Sequence, residues 1–407
     1  MLEAGLRLHR VGPGCQLKTP APVRQGSIVV GPAWKLPLND NGARSHAPIA
    51  GGGLMDLSLD ESQQILVDTF AEMLEKECPT TLVRDSEATG FSPELWDRFG
   101  ELGANVMGLP ESVGGLEMSL LELGLVATRA GSALAPVPFL EIAAAGRLLA
   151  GIDGSDPLLT EIAEGLPSVS IALPRPHAVR GTSRTSGGRT LVPFGAIADH
   201  VVALVGDELV VVSDVGKRRS ARVEEVGAGA VSHWDLSPGE GVRTLASGEA
   251  ARAAMDRANA EWKLLAGFWL VGIAQRALEI GSDYARERIQ FGVPIGGFQA
   301  IAHPLAECAI RTDGAELLAW EAAWADVEEP ERFEALASMA FVWGAQTALR
   351  TADVSLHTHG GYGFSTEYDI QLFYRRARSL ASLAGGSREE LMRVAELHYG
   401  AGAQGGA

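Results

Sequence analysis

The sequence predicts a mainly helical α+β protein: helices, then a small β unit, then helices again. Three observations carry this. Alanine- and leucine-rich runs with helical spacing fill 56–165 and 246–399, short β-branched runs bounded by Pro, Gly and Asp fill 166–245, and the first 54 residues follow neither pattern. The expected organisation is a disordered extension over 1–54, an N-terminal helical domain over 55–165, and a middle β-barrel or sheet domain over 166–245. A C-terminal four-helix bundle over 246–400 and a disordered tail over 401–407 complete it.

Each element has a local reason. Residues 1–54 are rich in Pro, Gly and Arg and end in "PIAGGGL", so Met55 is an alternative start. "SLDE" (58–61) reads as a capping box before a helix whose Ile65, Leu66, Phe70, Met73 and Leu74 share one face. "SPELWDRFGELG" is a second helix capped by Ser92, "GLPESVGG" a loop and "SLLELGLVATRAGSAL" a third helix. Pro136 and Pro138 interrupt the pattern before "EIAAAGRLLAGI" resumes it. "SVSIAL", "ADHVVALVG" and "ELVVVSD" are strands, and "GTSRTSGGRT" is a loop or hairpin. Long helices are then expected over about Gly248–Glu287, Phe298–Asp326 and the stretch from Phe333 to Gly360-Gly361. Shorter ones follow over about Thr366–Leu383 and Arg388–His398.

Bulk properties exclude several function classes. A formal charge of −17 disfavours sequence-independent nucleic-acid binding and docking on anionic membranes. Cys15, Cys78 and Cys308 form no zinc spacing and no disulfide framework, which fits a reducing cytoplasm. The longest apolar run, "LLAGFWLVGIA" (264–274), is shorter than a bilayer span and reads as a buried helix. The N-terminus has no apolar h-region of a signal peptide.

Motif searches find no GxGxxG after a strand, no Walker A loop, no HExxH and no GxSxG. His357 and His359 lie two apart, on different helical faces, so helix-end or core roles suit them better than a shared metal. His177, His200 and His233 lack ligand-spaced partners, and no metal site is expected. One pair of segments remains. "YARERIQFGVPIGGFQAIAHPLAE" (284–307) ends a helix at Arg288, turns through Phe291-Gly292 and starts the next helix near Gln299. A guanidinium fork suits a pyrophosphate, and helix-start amides add donors. "HTHGGYGFSTEYDIQLFYR" (357–375) places Gly360-Gly361 where a ligand can approach the backbone. The plain alternative is a bundle corner with Arg288 solvated.

The two segments together resemble the C-terminal domain of the acyl-CoA dehydrogenases, which are FAD flavoproteins. That family carries an R-x-x-F-G turn followed by a glutamine, then a Q-x-H/L-G-G-x-G-[FY] stretch; here Arg288, Phe291-Gly292, Gln299, His357 and Gly360-Gly361 match. "GLPESVGGLEMSLLELGLVATRAGSAL" is similar to the family's N-terminal loop and helix, and the likeness covers about 56–399. The resemblance implies the acyl-CoA dehydrogenase fold, FAD lying between subunits, and α,β-dehydrogenation of an acyl-CoA thioester, as in fatty acid degradation. It implies that Arg288, Phe291, Gln299, His357, Gly360 and Gly361 contact a neighbouring subunit's FAD, and that an electron-acceptor flavoprotein takes the electrons.

The resemblance also exposes a gap. In most members the proton-abstracting glutamate lies nine residues after the arginine that matches Arg375; here Ala384 stands there. Other members place the glutamate on the long helix at the position of Trp262. Glu261 is one residue, about 100° of helix, away and is a weak candidate for the base. Glu367 lies in the turn after the double glycine, where an acid is common in the family. The family's T-E-P-x-A-G-S-D flavin cradle is replaced by "IALPRPHAVRGTSRTSGG". What the chain would offer to its own flavin ring is eroded, while what it would offer to a neighbour's FAD is retained. "GYGFSTEYDIQLFYRRA" looks closest to bacterial members that work as heterotetramers of two paralogous chains. The expected function is therefore an FAD-dependent acyl-CoA dehydrogenase subunit acting with a paralogous partner that supplies the carboxylate. The alternatives are a self-sufficient homo-oligomer with an unrecognised base and a flavin-free scaffold.

Overall fold

A computed structural model describes residues 58–173 and 188–400. The expectations for 1–54, for a start at Met55, for His177 and for the 401–407 tail lie outside the described residues.

The N-terminal helices are α1 (Glu61–Glu77), α2 (Thr80–Asp85), α3 (Pro93–Glu101), α4 (Leu120–Ala133), α5 (Phe139–Ile152) and α6 (Pro157–Ala163). The capping box of α1 belongs to Asp60 and Gln63 rather than to Ser58 and Glu61. Gln63 N–H donates to Asp60 Oδ1 at 2.8 Å, and Asp60 N–H donates to Gln63 Oε1 at 3.1 Å. The two readings satisfy different amides two residues apart, and only the geometry selects between them. Ser92 caps α3 as expected, accepting from Leu95 N–H.

Among the described residues, the middle unit consists of two sheets. Strands β1 (Val169–Ile171), β3 (His200–Val205), β4 (Glu208–Ser213) and β7 (Val242–Ser247) form one, in the order β1-β3-β4-β7; β1 runs parallel to β3 and the other pairs are antiparallel. Strands β2 (Arg189–Val192), β6 (Ser232–Asp235) and β5 (Arg219–Arg222) form the second. Val201, Ala203, Val210 and Val212 face a small core shared with Trp234, whereas Val202, Leu204, Leu209 and Val211 face the helical core. Burial on both faces explains why "VVALV" and "LVVV" are unbroken apolar runs rather than alternating ones.

The C-terminal region comprises α7 (Gly248–Glu287), α8 (Gln299–Glu328), α9 (Pro330–Thr358), α10 (Ile370–Leu383) and α11 (Ser387–Tyr399). Helix α7 packs against α4, α5, α8, α9 and α10. Its backbone meets α4 closely: a Cβ on Gly272 would lie 2.0 Å from Thr128 O, and one on Gly131 would lie 2.1 Å from Trp269 O. Only glycine allows that approach. The 264–274 run is part of this 40-residue helix, which by length and composition is long enough to cross a membrane. Burial of 72% of its most apolar window within the fold marks it as a core helix. Lys263 on α7 and Glu390 on α11 form a buried ion pair at 2.8 Å, which anchors the last helix. Burial pulls the Lys263 ammonium below its usual range, and Glu390 opposes that shift.

Candidate functional site

Two places draw the chemistry-bearing residues together. The first is an outward corner where α7 ends. Arg288 is the C-cap of α7. The chain then turns through Phe291-Gly292, a two-residue hairpin whose flanking residues Gln290 and Val293 pair. Both loop residues have positive φ, 54° and 82°, the signature of a type I′ turn. Phe291 is 93% exposed although it holds a backbone conformation that disfavours a bulky side chain. Its ring meets Phe298 edge-on at 5.9 Å. Gln299 is the first residue of the 30-residue helix α8, exposed at that helix's positive end.

The second motif returns to the same corner. The Arg288 guanidinium lies 5.9 Å from the Tyr362 ring, and among the described residues it makes no ion pair. Tyr284 stacks on His359 at 4.1 Å, and Tyr368 meets both rings edge-on. His359 is buried, and its Nδ1 lies 2.7 Å from Ser355 O. Burial pushes its imidazole below the usual histidine range. His357 is exposed on α9 beside the double glycine. Gly360 has φ +60°, so it needs to be glycine for its backbone. Gly361 does not: a Cβ there meets nothing within 4 Å, in contrast to Gly363, where one would lie 2.3 Å from Leu356 O. The chain's own packing therefore gives no reason for a small residue at 361.

The second place is an inward cleft of about 600 Å³, including its open mouth, between α5, the β unit, α7 and α10. Leu140 and Glu141 come from α5, Trp269 and Ile273 from α7, and Arg376 and Leu383 from α10. Ala384, fully buried, caps α10 at the same end. Arg375 pins α10 in place through a two-point ion pair with Glu87 and a hydrogen bond to Val226 O at 2.8 Å. Glu261 does not line the cleft. Its oxygens accept from Arg147 Nε at 2.9 Å and Arg257 Nε at 2.7 Å, and Arg257 also pairs with Asp326. It is the hub of an ion network joining α5, α7 and α8.

Trp262 stands where some members carry the base. It is fully buried, and its indole N–H donates to Glu141 Oε1 at 3.0 Å. Glu141 is 2% exposed, and burial pushes its carboxyl up to about 7. Sequence reasoning missed both Glu141 and Arg376. The available signal was Glu141 as the one charged residue in "VPFLEIAAAG" (137–146), a charge with no local reason to be there.

A helix–sheet–helix fold built around one long core helix is the class that this architecture defines. Family models of acyl-CoA dehydrogenase match it: the N-terminal domain over residues 60–152 and the C-terminal domain over 251–397. The chain belongs to the acyl-CoA dehydrogenase family, FAD flavoproteins that oxidise CH–CH bonds in lipid metabolism. Acyl-CoA dehydrogenase FadE27 of Mycobacterium tuberculosis is 28% identical over 378 residues, covering 84% of this chain and 98% of that protein. Acyl-CoA dehydrogenase IpdE2 of Mycolicibacterium smegmatis is 27% identical over 350 residues, covering 83% and 98%. Among solved structures, the ChsE4-ChsE5 complex from Mycobacterium tuberculosis superposes with a TM-score of 0.74 at 25% identity, covering 84% of this chain and 99% of that one. Butyryl-CoA dehydrogenase from Megasphaera elsdenii shares the fold, with a TM-score of 0.71 at 20% identity, covering 85% and 100%.

Proposed function

We propose that the chain is one subunit of an FAD-dependent acyl-CoA dehydrogenase and that a paralogous partner chain supplies the catalytic carboxylate. The observation that carries this reading is Ala384, buried at the cleft end of α10 with no side chain able to accept a proton. The outward corner supports it. Arg288 would grip the pyrophosphate of a neighbour's FAD, Gln299 and the α8 amides would donate to it, and Gly361 would let it lie against the backbone. Phe291 and His357 flank the same surface. FAD, when bound, supplies the hydride acceptor for the β-carbon. The ChsE4-ChsE5 structure, named for two chains, is in keeping with a two-chain assembly. An electron-acceptor flavoprotein and a cytoplasmic location complete the reading.

The test is to purify the chain alone and with an acyl-CoA dehydrogenase-like chain encoded beside it, and to follow octanoyl-CoA oxidation with an artificial acceptor. The chain alone should be inactive and the pair active. A Gly361→Val chain should still fold, because a Cβ there meets nothing within 4 Å, yet should return a pair depleted of FAD. Full flavin content in that pair would remove the corner from the FAD site, and robust turnover by the chain alone would remove the need for a partner.

A further inference from the structure

An aspartate at a helix start ordinarily turns its carboxylate back onto the first free amides of its own helix. Asp369 is the N-cap of α10 and makes no such bond. Its side chain crosses instead to the N-terminal domain. Oδ1 accepts from Arg84 Nη2 at 2.7 Å, and Oδ2 accepts from Thr80 Oγ1 at 3.0 Å. Both donors lie on α2, so the carboxylate gives both oxygens to one six-residue helix, 285 residues from it in the chain. The Arg84 and Asp369 side chains are 28% and 41% exposed, and an ion pair this open to water adds little to stability. Its effect lies in the geometry that it fixes.

What Asp369 holds is one end of a short strap, with Tyr368 directly before it. Ser365 ties the strap together: its N–H donates to Tyr362 O at 3.0 Å, and its carbonyl accepts from Tyr368 N–H at 3.2 Å. The other end is seated at Gly363, where a Cβ would lie 2.3 Å from Leu356 O. The two rings of the strap reach the corner. Tyr362 and Tyr368 are 5.5 Å apart, and Tyr368 meets His359 at 5.9 Å and Tyr284 at 6.4 Å. The Arg288 guanidinium lies 5.9 Å from the Tyr362 ring, so this side chain rests on a ring rather than on a carboxylate. Its backbone N–H donates to Tyr284 O at 2.9 Å, which joins Arg288 to the same aromatic group.

We propose that Asp369, gripped by Arg84 and Thr80, is a positioning residue for Arg288. The grip fixes Tyr368, Tyr368 seats Tyr362, and Tyr362 carries the guanidinium that would meet a neighbour's FAD. The seat of the N-terminal domain thereby sets how well this chain serves another subunit's cofactor. The proposal rests on the reading of the corner as an FAD contact.

The test uses the full chain labelled with fluorotyrosine, alone and in the complex with its paralogous partner. The chain has five tyrosines, few enough for fluorine NMR to resolve each, and Tyr362→Phe and Tyr368→Phe assign the two that matter. In Asp369→Asn and in Arg84→Gln, both resonances of the isolated chain should shift while its melting temperature holds. The complex should then retain FAD about three- to thirtyfold less tightly in equilibrium dialysis, the range for coupling within one side-chain network. The double variant should lose no more than either single one, because both remove the same grip. Arg84→Gln carries the prediction from a different helix, should Asp369→Asn fail to fold. Unmoved tyrosine resonances overturn the proposal, and a lower melting temperature beside them makes the pair a domain staple only. FAD losses that add in the double variant overturn it as well, since the two residues would then act separately. Full FAD retention in Asp369→Asn, where Arg288→Ala releases FAD, overturns the proposal and leaves the corner reading standing. Full retention in both overturns the corner reading and the proposal with it.

Discussion

The corner at the end of α7 and the cleft beneath it break local rules in opposite directions. At the corner, an aromatic ring is displayed to solvent on a left-handed residue, Phe291, and a glycine stands at 361 where nothing crowds it. In the cleft, one carboxyl oxygen of Glu141 and one guanidinium nitrogen of Arg376 are buried without hydrogen-bond partners among the described residues. The corner exposes what a folded chain normally hides, and the cleft hides what it normally satisfies. On the function proposed above, the deficit at the corner closes when a neighbouring subunit with its FAD arrives. The buried pair of Lys263 and Glu390 differs in that one buried charge meets another at 2.8 Å, through Glu390 Oε2, while Glu390 Oε1 has no hydrogen-bond partner among the described residues.

That contrast can be broken or sharpened by substitution. The largest effect is expected where charge is already answered. Lys263→Met leaves Glu390 buried and unpaired, and should lower unfolding free energy by about 3–5 kcal/mol in chemical denaturation. A loss under 1 kcal/mol would mean that α11 is not anchored through this pair. The cleft should show itself next, through pH. The Glu141 carboxyl is raised from its ordinary 4.5 to about 7, so its contribution to stability is fully present below 4.5 and is lost as pH rises through 7. At about 1.4 kcal/mol per unit, the wild type should lose about 3 kcal/mol across that window relative to Glu141→Gln. Parallel stability profiles for the two proteins would place the carboxyl in water.

At the corner the effects are smaller and appear only in the assembly. Arg288→Ala should leave the isolated chain's melting temperature unchanged. It should weaken FAD retention in the complex by about 1.5–3 kcal/mol, read by equilibrium dialysis. The smallest prediction has two opposite signs. Phe291→Asn puts the residue type that a type I′ turn prefers before Gly292, and should stabilise the isolated chain by about 1 kcal/mol. The same substitution should weaken assembly, measured by sedimentation, because the exposed ring is gone. If stability and assembly moved together, the ring would serve the chain's own fold rather than a neighbour.

Much of the fold was legible in the sequence because helical spacing and β-branched runs are local. The helix–sheet–helix order, the Ser92 cap and the β3–β4 pair all follow from short windows. The misplaced details are those that windows cannot decide. Helix α10 starts at Ile370 rather than near Thr366, since the short helical turn Gly360–Phe364 and the Tyr368 ring contacts occupy the intervening chain. The capping box moved from Ser58 to Asp60 because two overlapping patterns offer alternative helix starts two residues apart. At the site, the corner was readable because its residues fall in two short windows, 284–307 and 357–375, that carry the family motifs, and Ala384 was readable by counting from Arg375. Glu141 and Arg376 were not: they lie far apart in the chain, and only the packing of α5 and α10 across α7 brings them to one cleft.

We propose that this chain completes a flavin site in a partner and lacks an autonomous one. Native mass spectrometry of the complex co-purified with its paralogous chain counts subunits and FAD together. A mixed oligomer with fewer FAD molecules than chains, whose FAD count drops further when this chain carries Gly361→Val, is the predicted result. A homo-oligomer of this chain holding one FAD per subunit would contradict it.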